Sequence, residues 1–271
     1  MNQNSRPSAS SIRHSARLVG LVVAALFMAG HSRLEAQIKA RGSDSTLHVV
    51  KALAAAYEAE TGKKANLEGG GSAAGVKGLQ AGEVTLAFLS RELKSAEKDA
   101  GLIGAPYAVD GVVVIVHKNN PVGNLSVAEL KDLFTGKTAS WPDGKPVVLF
   151  NRNADSGTRE VFQEHVLGKD TFSDKAVVKH DGVLVSSVAK IPTSVAYTSL
   201  GEADETKVKV LSANNIKPSS QTLKDKTYPI ARTPTLATKG APTGEEKAFI
   251  DFVLSPKGQA VVAKEGLVPL Q

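Results

Sequence analysis

The sequence contains no cysteine, and that absence alone removes several classes of function. A disulfide scaffold, thiolate metal sites, iron–sulfur ligation, a cysteine nucleophile and a lipid-modified cysteine are excluded together. Aromatic residues make up only 5% of the 271 positions, with Trp141 the single tryptophan, which argues against stacking platforms for single-stranded nucleic acid. Nor do charges of one sign form a block. The formal net charge is +6, and half of that surplus sits in the first 36 residues, which hold four arginines against one glutamate. The remaining charges are interspersed, so no nucleic-acid partner is expected. The longest apolar run, residues 18–30, spans 13 positions, short of the roughly 20 that a membrane-crossing helix needs.

What remains is ordinary globular composition, 42% apolar and 22% charged. Arg6, Arg13 and Arg17 precede the apolar run, and a short polar stretch, residues 31–36, follows it. A basic head, apolar middle and small-residue exit predict a secretory signal peptide over residues 1–36, removed after Ala36, and hence a periplasmic protein.

Beyond it, short β-rich runs alternate with amphipathic helices, which points to an α/β fold. Apolar spacing predicts a helix over 46–60 ended by Gly62, a second over 72–82, and a strand over 85–88. Residues 111–117 read as a strand buried on both faces, and 147–151 as another. A helix over 126–134 opens with a capping box, Ser126 with Glu129, and a further helix over 156–167 stops at Gly168. Shorter strands are predicted at 195–197, 208–211 and 228–231. Two helices close the chain, one with a Thr243–Glu246 capping box and one with Pro256 at its first position. The strand at 111–117 and the run 228–238 are the candidate crossings between two lobes.

Three segments share one design, with small hydroxyl or glycine residues directly before a helix. They are Gly42-Ser43-Asp44-Ser45-Thr46, Gly69-Gly70-Gly71-Ser72-Ala73-Ala74-Gly75 and Arg152-Asn153-Ala154-Asp155-Ser156-Gly157-Thr158. A helix start presents unpaired N–H groups and a partial positive charge, and Ser or Thr adds a hydroxyl donor. One such loop is usually only a helix cap. Three together, with an arginine beside one of them, would surround a tetrahedral oxyanion. Competing motifs fail: Gly136-Lys137-Thr138 lacks the earlier P-loop glycine, where Lys131 stands, and Gly70-Gly71-Ser72-Ala73-Ala74 lacks the last glycine of a nucleophile elbow. His48, His117, His165 and His180 are scattered without metal-ligand or serine–base spacing, so neither catalysis nor a cofactor is expected.

Across nearly all of the chain beyond residue 36, these motifs keep an order that resembles the periplasmic phosphate-binding proteins of phosphate ABC transporters. The resemblance runs from Gly42-Ser43-Asp44-Ser45-Thr46 through Glu60-Thr61-Gly62-Lys63-Lys64, Gly70-Gly71-Ser72, Leu89-Ser90-Arg91 and the strand after Asp110. It continues with Asn120-Pro121, Leu133-Phe134-Thr135-Gly136-Lys137, Trp141, Asn151-Arg152, Asp155-Ser156-Gly157-Thr158-Arg159 and Leu254-Ser255-Pro256-Lys257-Gly258-Gln259.

It implies a two-lobed type II periplasmic binding protein fold, each lobe a mixed sheet flanked by helices with the ligand in the cleft. Lobe 1 would comprise residues 37–115 and 232–271, and lobe 2 residues 116–231. By resemblance, inorganic phosphate would be held by Asp44, Ser45, Thr46, Ser72, Ser90, Arg91, Arg152, Ser156, Gly157 and Thr158, in a monomer that docks on an inner-membrane ABC permease. Some members carry an aspartate where Ser90 stands, and that carboxylate accepts the proton of hydrogen phosphate; Asp44 is then the expected acceptor here. Another oxyanion, such as sulfate, molybdate or an organophosphate, and a phosphate-ester hydrolase are the alternative readings.

Overall fold

The computed structural model describes Met1 and residues 38–270; the predicted signal peptide and its cleavage point lie outside the described residues. The chain runs through β1 (Ile38–Gly42), α1 (Leu47–Thr61), β2 (Ala65–Glu68), α2 (Ser72–Ala81), β3 (Leu86–Leu89), α3 (Ser95–Asp99) and β4 (Leu102–Pro106). It then enters β5 (Asp110–His117), β6 (Asn124–Leu125), α4 (Val127–Thr135), β7 (Val148–Asn151), α5 (Gly157–Phe162), β8 (Val177–Val178), α6 (Asp181–Lys190) and β9 (Ser194–Ser199). The last elements are β10 (Val208–Val210), β11 (Ser212–Ala213), α7 (Ser220–Lys224), β12 (Ala231–Arg232), β13 (Thr235–Lys239), α8 (Gly244–Leu254) and α9 (Pro256–Lys264).

Most of these strands form two mixed sheets, in the orders β2-β1-β3-β13-β4 and β10-β5-β9-β7-β8, with β12 also paired to β5, while β6 and β11 pair in a small two-stranded sheet of their own. Helices cover both, as the α/β expectation requires. In the first sheet β3 shows why. Leu86 and Phe88 face a core built with α1, α8 and α9, while Ala87 and Leu89 face a second cluster with Val76 and Leu79 of α2. In the second, β5 is buried from Asp110 to Val116, and Phe162 stacks on Tyr197 with ring centroids 4.2 Å apart. Trp141 packs here too, its indole N–H bonded to the Thr193 carbonyl (2.8 Å).

The chain leaves the first sheet after Pro106 and returns to it at Thr235. Because β5 pairs with β9 and β10 along its length, all of it belongs to the second sheet. This moves the first crossing to residues 107–109, ahead of the 115/116 boundary predicted from the sequence. An apolar run states that a strand is buried and not which sheet takes it. The two crossings touch, with Tyr107 N–H donating to the Pro234 carbonyl (3.0 Å).

Local signals hold in most places. Gly62 ends α1 in the left-handed region (φ 75°), and Ser126 and Glu129 form the reciprocal capping box of α4. Thr243 caps α8 without a side-chain bond, so the second box is not formed. The predicted 156–167 helix is α only to Phe162 and continues as a π turn, Gln163–Leu167. Of the predicted strand at 228–231, only Ala231 pairs, together with Arg232.

Candidate functional site

The three glycine- and hydroxyl-bearing segments converge at the interface of the lobes. Ser43 opens a short 3-10 turn, Asp44–Thr46, that runs directly into α1. Gly71 opens α2 with φ 104°, a conformation glycine adopts without strain, and its N–H donates to the Gly42 carbonyl (2.9 Å). A Cβ on Gly71 would lie 2.3 Å from the Asp155 carbonyl oxygen of the third segment. Ala73 N–H donates to that same carbonyl (3.2 Å), a backbone bond between lobes. Ser156 caps α5, its Oγ accepting from Arg159 N–H (3.3 Å).

A cluster of buried hydroxyls fills the convergence. Ser45 Oγ lies 2.9 Å from Thr158 Oγ1 across the lobes and 3.0 Å from Ser43 Oγ. Ser72 Oγ accepts from Ser90 N–H (3.1 Å) and lies 3.3 Å from Ser90 Oγ. Gly157 faces this pair so closely that a Cβ would sit 2.2 Å from Ser72 Oγ and 2.6 Å from Ser90 Oγ. Thr46 and Tyr107 bring two more buried hydroxyls together without a hydrogen bond of normal geometry, and burial pushes the Tyr107 phenol up. Such groups take a partner when one is offered, because an unpaired buried polar atom is costly.

Arg152 supplies positive charge. It sits between β7 and α5, is 1% exposed, and its backbone N–H donates to Asn151 Oδ1 (2.8 Å). Asn151 Oδ1 is in turn held by the Tyr197 hydroxyl, so the aromatic core of the second lobe braces the loop.

Two predicted residues turn elsewhere. The sequence predicts Arg91 as an anion donor, but its guanidinium is taken by carboxylates, with both Nη atoms bonded to Glu97 (2.8 Å each) and Nε paired with Glu160 of α5. Glu160 also pairs with Lys94 (2.9 Å), so Arg91 and Lys94 tie the first lobe to the second. Asp44, predicted as the proton acceptor, gives its Oδ1 to Gly70 N–H (2.8 Å) and braces the glycine loop.

The Arg91 contact has a pH consequence. Burial would raise the Glu97 carboxyl, but hydrogen bonds from Arg91 and the Lys94 backbone outweigh it and hold the group below its usual range. A depressed carboxyl stabilises the fold above its unfolded value and loses that contribution as pH falls through its folded value. Urea unfolding of Glu97→Gln is therefore expected to show reduced stability at neutral pH and a shallower loss on acidification than the wild type. Parallel acid limbs would contradict the assignment.

Sequence reasoning missed Asp110 and Arg232. They face each other in the β5–β12 register, and their side chains are 0% and 1% exposed. Asp110 Oδ2 accepts from Arg232 Nε (2.8 Å) and from Ser199 Oγ (2.8 Å). Arg232 Nη1 donates to Thr158 Oγ1 (2.6 Å) and Nη2 to Ser45 Oγ (3.4 Å). The available signal is an arginine inside the crossing segment 228–238, a position where a charge must find a partner. An open groove of about 1070 Å³ adjoins the interface, with Arg91, Lys94, Glu160, His165, Tyr228 and Arg232 among its walls.

Comparison with known proteins gives consistent matches. The family model of the PBP superfamily domain matches residues 28–257. A Clostridium perfringens crystal structure, described as a putative phosphate ABC transporter substrate-binding protein with bound phosphate, is 31% identical. The match covers 87% of this chain and all of that one, with a TM-score of 0.82. An ABC-type phosphate transport receptor from Vibrio cholerae is 25% identical over 86% of this chain and 99% of its own, with a TM-score of 0.73. The phosphate-binding protein PstS of Bacillus subtilis is 26% identical over 251 residues, covering 89% of this chain and 83% of its own length.

Proposed function

The chain belongs to the PBP superfamily, and from that premise we propose that it is a receptor that binds inorganic phosphate between its lobes and delivers it to an ABC transporter for uptake. The observation that carries this reading is the meeting of three helix starts and their hydroxyls at one interface, with the buried Arg152 in the loop that leads into the third. Helix starts favour negative charge, and a guanidinium fork meets two oxyanion oxygens at once. The proposed ligand set is Ser45, Thr46, Ser72, Ser90, Arg152, Ser156, Gly157 and Thr158; Asp44 and Arg91 support it from outside. Closure excludes water and strengthens each charge-assisted bond. The bound phosphate of the clostridial relative supports the choice of anion.

The receptor acts as a monomer in the periplasm, binds without catalysis, and presents its closed form to an inner-membrane permease. Among the described residues no helix is long and apolar enough to cross a membrane. Titration calorimetry of ligand-stripped residues 37–271 with phosphate and then sulfate, at pH 7 and moderate salt, tests the reading. Tight one-to-one phosphate binding with little response to sulfate is expected. Equal binding of both would recast the chain as a general oxyanion receptor, and binding of neither would contradict the proposal.

A further inference from the structure

Arg232 occupies an unusual place. It ends β12 at the crossing between lobes, and its guanidinium reaches Ser45 of the first lobe and Thr158 of the second while paired to Asp110. Its charge is already neutralised by Asp110, so net attraction for an anion is not what it adds. What it adds is direction. A guanidinium only donates, whereas a hydroxyl has one proton and two lone pairs. Each bond from Arg232 therefore fills a lone pair of Thr158 or Ser45. Ser45 then has three neighbours for three positions: Arg232, Ser43 and Thr158. When Ser45 gives its proton to Thr158, both Thr158 lone pairs are filled, and the Thr158 proton is left to donate.

We propose that Arg232 is a positioning residue of the anion site, which aligns the Ser45 and Thr158 hydroxyls from the two lobes so that Thr158 donates to the bound oxyanion. The inference rests on the phosphate-binding reading. It also explains why a buried ion pair stands at the crossing: the Asp110 carboxylate, held by Ser199 and by Gly111 N–H (2.8 Å), fixes the guanidinium at one edge and leaves the other for the hydroxyls. The fork therefore engages both hydroxyls at once only when the lobes are closed.

A double-mutant cycle tests this, with phosphate titrated into the wild type, Arg232→Lys, Thr158→Val and the double variant, and thermal melting run on each. Lysine keeps a cation beside Asp110, but one ammonium cannot span Asp110, Thr158 and Ser45 together. Arg232→Lys is expected to melt near the wild type yet bind phosphate at least tenfold more weakly. Thr158→Val is expected to lose a similar factor, and the double variant no more than Thr158→Val alone, because both changes remove one interaction. Multiplying losses, or unchanged affinity in Arg232→Lys, would overturn the role while leaving the phosphate reading intact. A wild type that binds no phosphate would overturn both.

If Arg232→Lys fails to fold, nitrogen-15 NMR of the wild-type arginine side chains decides the matter. Resolved Arg232 Nη resonances that shift on adding phosphate are expected; averaged resonances insensitive to phosphate would overturn the proposal.

Discussion

Replacing Arg152 with alanine is expected to weaken phosphate binding by about 2–5 kcal/mol, the usual cost of unpairing a buried charge. That corresponds to a loss of roughly thirtyfold to a few thousandfold in affinity. At 1% exposure the guanidinium cannot trade the anion for water. Asn151 and Tyr197 hold the loop against the second-lobe core, so the charge stands in place before the ligand arrives. Lysine at this position restores a charge without the planar fork, and is expected to recover only part of the loss. Calorimetry of the three proteins at one salt concentration measures this directly. A loss well under ~1 kcal/mol for Arg152→Ala would remove Arg152 from the site.

The second large effect is steric. Gly157→Ala places a methyl group within 2.2 Å of Ser72 Oγ and 2.6 Å of Ser90 Oγ, with Ser72 Cβ only 2.9 Å away. These are short side chains anchored on the opposite lobe and cannot swing clear, so the methyl is accommodated by holding the lobes apart. Overpacking of this kind costs typically about 1–3 kcal/mol, and here it falls on closure. The variant is expected to melt like the wild type without phosphate but to show reduced affinity and a weaker compaction in small-angle scattering when phosphate is added. Wild-type affinity would mean that the close approach of Gly157 to the two serines plays no part in binding.

Those two residues also mark how much of the site could be read in advance. The three helix starts were legible because each is a local signal, small hydroxyl residues or glycine ahead of an apolar periodic run, and each lies within a few positions of chain. The engagement of Arg91 is not legible in the same way. Whether an arginine faces a cleft or a carboxylate depends on Glu97 six residues on and on Glu160 in the other lobe. Asp110 and Arg232 are 122 positions apart, and no periodicity links them before the β5–β12 register is known.

The fold shows the same division. Strand β5 was plain from its unbroken apolar run, yet its assignment to the second sheet needed the partners β9 and β10. Helix α6 escaped prediction although Leu184 and Val188 are buried at helical spacing, because its ten residues carry little charge contrast between faces. The missing side-chain bond at Thr243 illustrates the limit of capping motifs, in which spacing permits a bond that the backbone then need not form.

The central claim is that the helix starts bearing Ser45, Ser72 and Thr158, with Arg152 beside them, close on one phosphate. The most direct measurement is a crystal structure of residues 37–271 grown with phosphate. A tetrahedral anion hydrogen-bonded to the side chains of Ser72, Arg152 and Thr158 and to the Ser45 backbone N–H, with atoms from both lobes in contact, is the predicted result. Density for the anion only in the neighbouring groove beside Lys94 and His165, with the hydroxyl cluster bonded to itself, would contradict it.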